Sequence, residues 1–150
     1  MTRYPYLILA ALVVGADRLV KWWVQGHVFL PRTLIPGFIR LNLVHNMGGA
    51  FGIFPRSGPL FIVISSLVSV GIAAALLFAP LHGRLLKFGL GLVLGGAVGN
   101  LIDRIRFGYV LDFFEVRWFS VFNLADACIT VGVVLIIIHT LFFAGGRDGA

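Results

Sequence analysis

From Ser57 to Leu81 the chain carries no charged side chain. A helix needs about 20 apolar residues to cross about 30 Å of hydrocarbon, so this run alone is long enough for a membrane span. Three further apolar runs cover residues 4–23, 87–103 and 119–143, the third run of the chain being the short one. Of the 150 residues 59% are hydrophobic and 12% charged, whereas an ordinary soluble domain carries about 25% charged residues. The expected fold is therefore an all-α integral membrane protein, a single domain of four transmembrane helices over residues 1–150. The net charge of +6 comes from Lys and Arg scattered singly around the apolar runs. That distribution suits membrane flanks and speaks against nucleic-acid binding. The single cysteine, Cys128, excludes an internal disulfide and a cysteine-rich metal site.

The first run starts after Arg3 and reaches small residues at Gly15 and Ala16, as a cleavable signal peptide does. Apolar character continues past Ala16, however, so an uncleaved first helix is expected. The segments 24–56 and 104–118 lie between spans. Residues 38–45 (FIRLNLVH) alternate polar and apolar side chains with the period of a strand, and 109–118 is also β-prone. A small extramembrane β-sheet over one end of the helices is expected from them.

Polar residues are concentrated where hydrocarbon makes them costly. Four of the six acidic residues, Asp103, Asp112, Glu115 and Asp126, fall within 24 residues, from the end of the third run into the start of the fourth. A carboxylate at a helix centre in a bilayer costs about 2.5–3.5 kcal/mol on insertion scales. With alternating helix directions, Asp17, Asn100, Asp103, Asp112, Asn123 and Asp126 meet at one membrane face, the level also marked by Trp22, Trp23, Tyr109 and Trp118. Asn123 and Asp126 are expected to share a face of the fourth helix. Asn100, Asp103 and Arg104 are expected to do the same on the third. Asp17 has Lys21 at i+4 and Asp103 has Arg104 beside it; such partners keep a carboxylate ionised and suit orienting roles. Asp112 and Asp126 lack a basic neighbour at helical spacing. Two such carboxylates meeting at one site titrate as a coupled pair and supply a general base and a general acid together. Glu115 reads as a solvated loop residue, His27 and His45 read as loop or sheet residues, and His139 lies about 20 Å from Asp126 along the helix. Glycines 91, 95 and 99 have the spacing of close helix packing. Lys and Arg counts on the two faces do not fix the orientation.

Two other classes remain open at this point. Intramembrane acids suit a small proton-coupled transporter, although its key acid belongs near the midplane. Asp103, Asp112 and Asp126 as magnesium ligands suit a metal-dependent lipid phosphotransferase, although its aspartates are usually closely spaced on one helix.

Five blocks narrow the choice: D-x-x-x-K (Asp17 to Lys21), N-x-G-x-A-F (Asn46 to Phe51), G-N-x-x-D-R (Gly99 to Arg104), G-x-V-x-D-F (Gly108 to Phe113) and F-N-x-A-D (Phe122 to Asp126). In order and over residues 5–145 they resemble lipoprotein signal peptidase, signal peptidase II. The resemblance implies a bacterial inner-membrane aspartic endopeptidase with both termini cytoplasmic and its sheet and active site at the periplasmic face. It implies substrates that are diacylglyceryl-modified prolipoproteins, cut before the lipidated cysteine, with membrane lipid around them. It implies Asp112 and Asp126 as catalytic residues and Asp17, Lys21, Asn46, Gly48, Asn100, Asp103, Arg104 and Asn123 as supporting or substrate-binding ones. Arg104, Lys21 and the backbone near Asn46 are expected to hold the substrate. No cofactor or metal is expected, and the chain is expected to act as a monomer. Gly49 departs from the family, which more often has alanine there.

Overall fold

In the computed structural model, residues 3–48 and 58–143 are described. Four helices and three strands follow one another as α1 (Tyr4–His27), β1 (Arg32–Ile35), β2 (Ile39–Asn46), α2 (Gly58–Phe78), α3 (Arg84–Phe107), β3 (Val110–Val116) and α4 (Leu124–Phe142). Gly49, together with Ala50 and Phe51 of the second block, lies outside the described residues.

Among the described residues, α2, α3 and α4 are each long and apolar enough to cross a membrane. The expected first span falls short by composition, because Asp17, Arg18 and Lys21 interrupt α1. These side chains turn inward rather than toward the surroundings: Asp17 and Lys21 are buried. α3 is the central element, packing against α1, α2, α4 and β3. Its glycines make that possible. A Cβ on Gly91 would stand 2.8 Å from the Tyr6 carbonyl oxygen of α1, and one on Gly89 would stand 2.7 Å from the Gly132 carbonyl oxygen of α4. Backbones this close gain dispersion contacts that a larger side chain would prevent. Ala10, Leu76 and Leu94 form the core between α1, α2 and α3, while most of α2 and α4 presents apolar side chains outward.

Gly108 ends α3 in the left-handed conformation (φ 78°), its N–H donating to the Arg104 carbonyl, and turns the chain into β3. The sheet is antiparallel with the order β1-β2-β3. Val24 and Val28 at the end of α1 bury Leu41 of β2 and Phe113 of β3, which fixes the sheet over one end of the helices. Adjacent residues on a strand point to opposite faces. With Phe113 committed to this core, Asp112 faces the other way, paired across the ladder with Val44.

Several boundaries differ from expectation. β1 was not anticipated, and α3 is longer than its apolar core. α4 begins at Leu124 rather than 119, because Phe122 exchanges backbone hydrogen bonds with Phe114 of β3. That pairing holds the preceding residues out of the helix. Glu115, read as a loop residue, lies on β3 opposite Arg40, and its carboxylate accepts from both Arg40 and Asn42. Those donors hold its carboxyl below the ordinary glutamate range.

Candidate active site

The start of α4 sets the geometry. Asn123 is its N-cap in an extended conformation, and its Oδ1 accepts from the Asp126 N–H at 2.9 Å. In return Asp126 Oδ2 accepts from the Asn123 N–H at 3.2 Å. This reciprocal capping box corrects the expectation that the two residues share a face of a continuing helix: Asn123 stands just outside it and Asp126 is in its first turn. A carboxylate there is also favoured by the positive end of the helix dipole.

With its oxygen occupied by the cap, the Asn123 amide nitrogen is free to donate. It donates to Asp112 Oδ1 at 2.8 Å and to Asn100 Oδ1 at 3.0 Å. Asn100 in turn donates to Asp126 Oδ1 at 2.7 Å. Asn46, whose Oδ1 accepts from the Gly48 N–H, donates to Asp112 Oδ2 at 2.9 Å. Three uncharged amides from β2, α3 and the α4 cap thus hold two carboxylates from β3 and α4 around one site. Asp112 is 2% exposed. Burial pushes its carboxyl up to about 6, aided by the charge of Asp126 and opposed by the N–H donors of Asn46 and Asn123 and by Lys21.

Behind the amides lies a buried ionic cluster. Lys21 Nζ is 2.9 Å from Asp17 Oδ2 and 2.6 Å from Asp103 Oδ2. Arg18 reaches Asp103 Oδ1 at 2.6 Å and Asp17 Oδ2 at 2.7 Å. The expected partner of Asp103, Arg104, is not its partner. The Arg104 guanidinium instead lies over the Phe61 ring, 5.1 Å from its centroid, and lines the same cavity as Asp112 and Asp126. Lys21 is likewise corrected as a substrate contact: it is 2% exposed, enclosed between the two carboxylates and a 3.3 Å contact to Asn100 Oδ1. Asn46 meets Asp112 through its side chain, and the Gly48 N–H is already used by Asn46. Arg18 was not singled out in the sequence. The available signal was a second charge beside Asp17 in an otherwise apolar helix.

A cavity of about 490 Å³ opens between the β3–α4 connection and α4. Asp112, Asp126 and Arg104 supply its polar wall; Phe119, Phe122, Ile129 and Val131 are among its apolar lining. A second, smaller hollow shares Asn46, Asp112, Ser120 and Val121 with it and continues past β2 beside His45. The His45 ring stacks on Tyr109, with centroids 4.3 Å apart. The two hollows therefore meet at Asp112, and Asp126 lines the larger one. Asp103, the third ligand that a phosphotransferase reading would need, has its oxygens engaged by Arg18, Lys21 and the Leu111 N–H.

Known proteins share this arrangement of chain and fold. The family described as signal peptidase (SPase) II matches residues 9–142. A lipoprotein signal peptidase of Moorella thermoacetica is 43% identical, over 96% of this chain and 99% of the relative. One of Symbiobacterium thermophilum is 42% identical, over 89% of this chain and 91% of the relative. A bacterial membrane enzyme solved by the in meso method at 2.3 Å superposes with a TM-score of 0.88 at 26% identity, covering 97% of this chain and 93% of the other. A second such enzyme, solved at 1.9 Å, gives a TM-score of 0.82 at 28% identity, covering 93% of this chain and 94% of the other. On this likeness over nearly its whole length, the chain belongs to the signal peptidase II family.

Proposed function

We propose that this signal peptidase II removes signal peptides from diacylglyceryl-modified prolipoproteins, cutting before the lipidated cysteine with Asp112 and Asp126 as a water-activating pair. Lipoprotein signal peptidases among its relatives carry the substrate class in their name. One observation carries the mechanism: a single residue, Asn123, donates to Asp112 Oδ1 through its side-chain amide and to Asp126 Oδ2 through its backbone N–H, and these two carboxylates from distant elements line one cavity.

In this mechanism the pair holds one proton. The ionised carboxylate takes a proton from water as the oxygen attacks the scissile carbonyl carbon. The protonated partner donates to the carbonyl oxygen. As the tetrahedral gem-diol collapses, one of its hydroxyls returns its proton to the ionised carboxylate, the C–N bond breaks and the leaving amine takes a proton from the other carboxyl, so the pair again holds one proton. Asn46, Asn100 and Asn123 orient the carboxylates without adding charge. Arg104, at the cavity wall, is the residue proposed to meet the substrate main chain or a lipid ester oxygen, and the apolar wall to meet acyl chains. Gly48 shapes the β2 end of the groove. Asp17, Lys21 and Asp103 act from behind.

The placement in the cell is part of the same proposal. α1 crosses the bilayer with the other three helices, its charges satisfied internally; both termini are cytoplasmic; and the sheet lies at the periplasmic face of the bacterial inner membrane. The single domain over residues 1–150 works as a monomer in lipid.

Purified protein in detergent is expected to cleave a diacylglyceryl-modified prolipoprotein, with EDTA leaving the rate unchanged, and to cut the unlipidated form poorly. Equal cutting of both forms would remove lipid recognition, and abolition by EDTA would favour a metal-dependent enzyme. The pH profile gives a second test. Asp112 is raised to about 6, so the proton shared by the pair is lost as pH rises through that region. The kcat/KM of wild type is expected to fall on the alkaline side with an apparent pKa near 6 that belongs to the pair. A rate that keeps rising to pH 8 would contradict a shared proton.

A further inference from the structure

Asp17 and Asp103 are both 0% exposed, and each engages a backbone N–H immediately before one of the proposed reacting aspartates. Asp103 Oδ2 accepts from the Leu111 N–H at 3.2 Å, one residue before Asp112. Asp17 Oδ1 accepts from the Ala125 N–H at 3.2 Å, one residue before Asp126. The backbone entering each aspartate is therefore tied to one buried carboxylate, and the distance between those carboxylates bears on the distance between the reacting groups.

Two cations set that distance, and they act differently. Lys21 is a point charge between the two Oδ2 atoms. Arg18 is a planar fork: one terminal nitrogen donates to Asp103 Oδ1 at 2.6 Å and the other to Asp17 Oδ2 at 2.7 Å, the latter also donating to the Gly99 carbonyl at 3.1 Å. A guanidinium fixes the relative orientation of its acceptors in a way that an ammonium does not. Without it, two ionised carboxylates share one lysine and repel each other.

We propose that Arg18 is a positioning residue for peptide cleavage, holding Asp112 and Asp126 in register by bridging the carboxylates that anchor the Leu111 and Ala125 amides. The inference rests on the two-aspartate reading above. Arg18 lines neither of the two hollows that Asp112 faces. Its side chain is 24% exposed, so its truncation leaves a gap that solvent or lipid headgroups can reach rather than a sealed void.

The test measures kcat and KM for wild type, Arg18→Ala and Arg18→Lys on a diacylglyceryl prolipoprotein in detergent, with hydrogen exchange at the Leu111 and Ala125 amides. Misplacing reacting groups by about 1 Å can cost about 100-fold. Arg18→Ala is expected to lower kcat by about 10–100-fold with KM within about twofold, the pattern of lost transition-state alignment. Both amides should exchange faster. Arg18→Lys, able to reach one carboxylate at a time, should fall between wild type and alanine in kcat and in exchange. A kcat for Arg18→Ala within about twofold of wild type, or a lower kcat with both amides protected as in wild type, would overturn the proposal. If the alanine variant does not fold, wild-type kcat and exchange in Arg18→Lys would overturn it, and a lower kcat with faster exchange would sustain it. Asp112→Asn, assayed alongside, separates the two readings: turnover by that variant would sink the aspartate pair. A dead Asp112→Asn with a fully active Arg18→Ala would sink only the role of Arg18.

Discussion

Asp112→Asn and Asp126→Asn are each expected to lower kcat by about 10²–10⁴-fold, the range for removing a positioned general acid or base. Each substitution keeps size and removes a proton site, so the effect should appear in kcat with substrate binding little changed. The two losses should not add, because the groups act as one unit and either deletion ends the proton cycle. The Asp126 variant carries a second consequence. Its Oδ2 accepts from the Asn123 N–H and Asn123 Oδ1 accepts from its own N–H. Asparagine keeps an acceptor there only if its amide oxygen faces the cap. Its NH₂ would then face the Asn100 amide nitrogen, now a donor opposite a donor. The Asp112 variant meets the same problem, because Asp112 Oδ1 accepts from the Asn123 amide and Oδ2 from the Asn46 amide, so a large loss of activity with a modest loss of thermal stability is the expected pattern for both. Single-turnover rates for both variants, measured with their melting curves, check it; substantial turnover by either would contradict the paired mechanism.

The second large effect concerns stability. Lys21→Met should destabilise the protein by about 3–5 kcal/mol, the cost of breaking a buried ion pair by removing one partner. Methionine fills the space, yet it leaves Asp17 and Asp103, both 0% exposed, facing each other with only Arg18 between them. For a chain of this size such a loss lowers Tm by about 6–20 °C. The mechanism makes a further demand. Removing one of the stranded charges, as in Lys21→Met with Asp103→Asn, should recover part of the loss. Heating the detergent-solubilised variants and following helix signal tests both statements. An unchanged Tm in Lys21→Met would mean that the carboxylates are not ionised together, and a double variant weaker than the single would mean that packing dominates.

How much of this was legible in the chain depended on whether the information was local. The alternation in residues 38–45 marked β2 because side-chain direction reverses at every strand residue. The spacing of Asn123 and Asp126 marked a shared local structure, but its form was misjudged. Nothing nearby reveals that Phe122 pairs with Phe114 on another strand and so delays the helix to Leu124. β1 is a short edge strand whose residues are all exposed, and it leaves no periodic trace.

Partner choice was the least legible. Successive helix residues point about 100° apart, so Asp103 turns toward α1 while Arg104 turns to the cavity. Sequence adjacency suggested their pairing; helix geometry opposes it. Arg18 escaped notice for the complementary reason, since its main partner lies far along the chain on α3. The convergence of Asp17, Asn100, Asp103, Asp112, Asn123 and Asp126 was nonetheless readable, because a charge in an apolar run is costly wherever it points and must find company.

The apolar lining of the cavity includes Ile129 and Val131, and Val131 lies on the outward-facing side of α4, half exposed. For the lipidated substrate proposed above, a groove that opens across such a wall means entry from the side, by diffusion within a two-dimensional fluid. The quantity that governs its occupancy is then the mole fraction of substrate among surrounding amphiphiles, not molarity in the buffer. Added detergent or phospholipid would dilute the substrate and raise the apparent KM at constant enzyme and substrate. On that proposal, Michaelis constants for this protein carry meaning only when expressed per amphiphile.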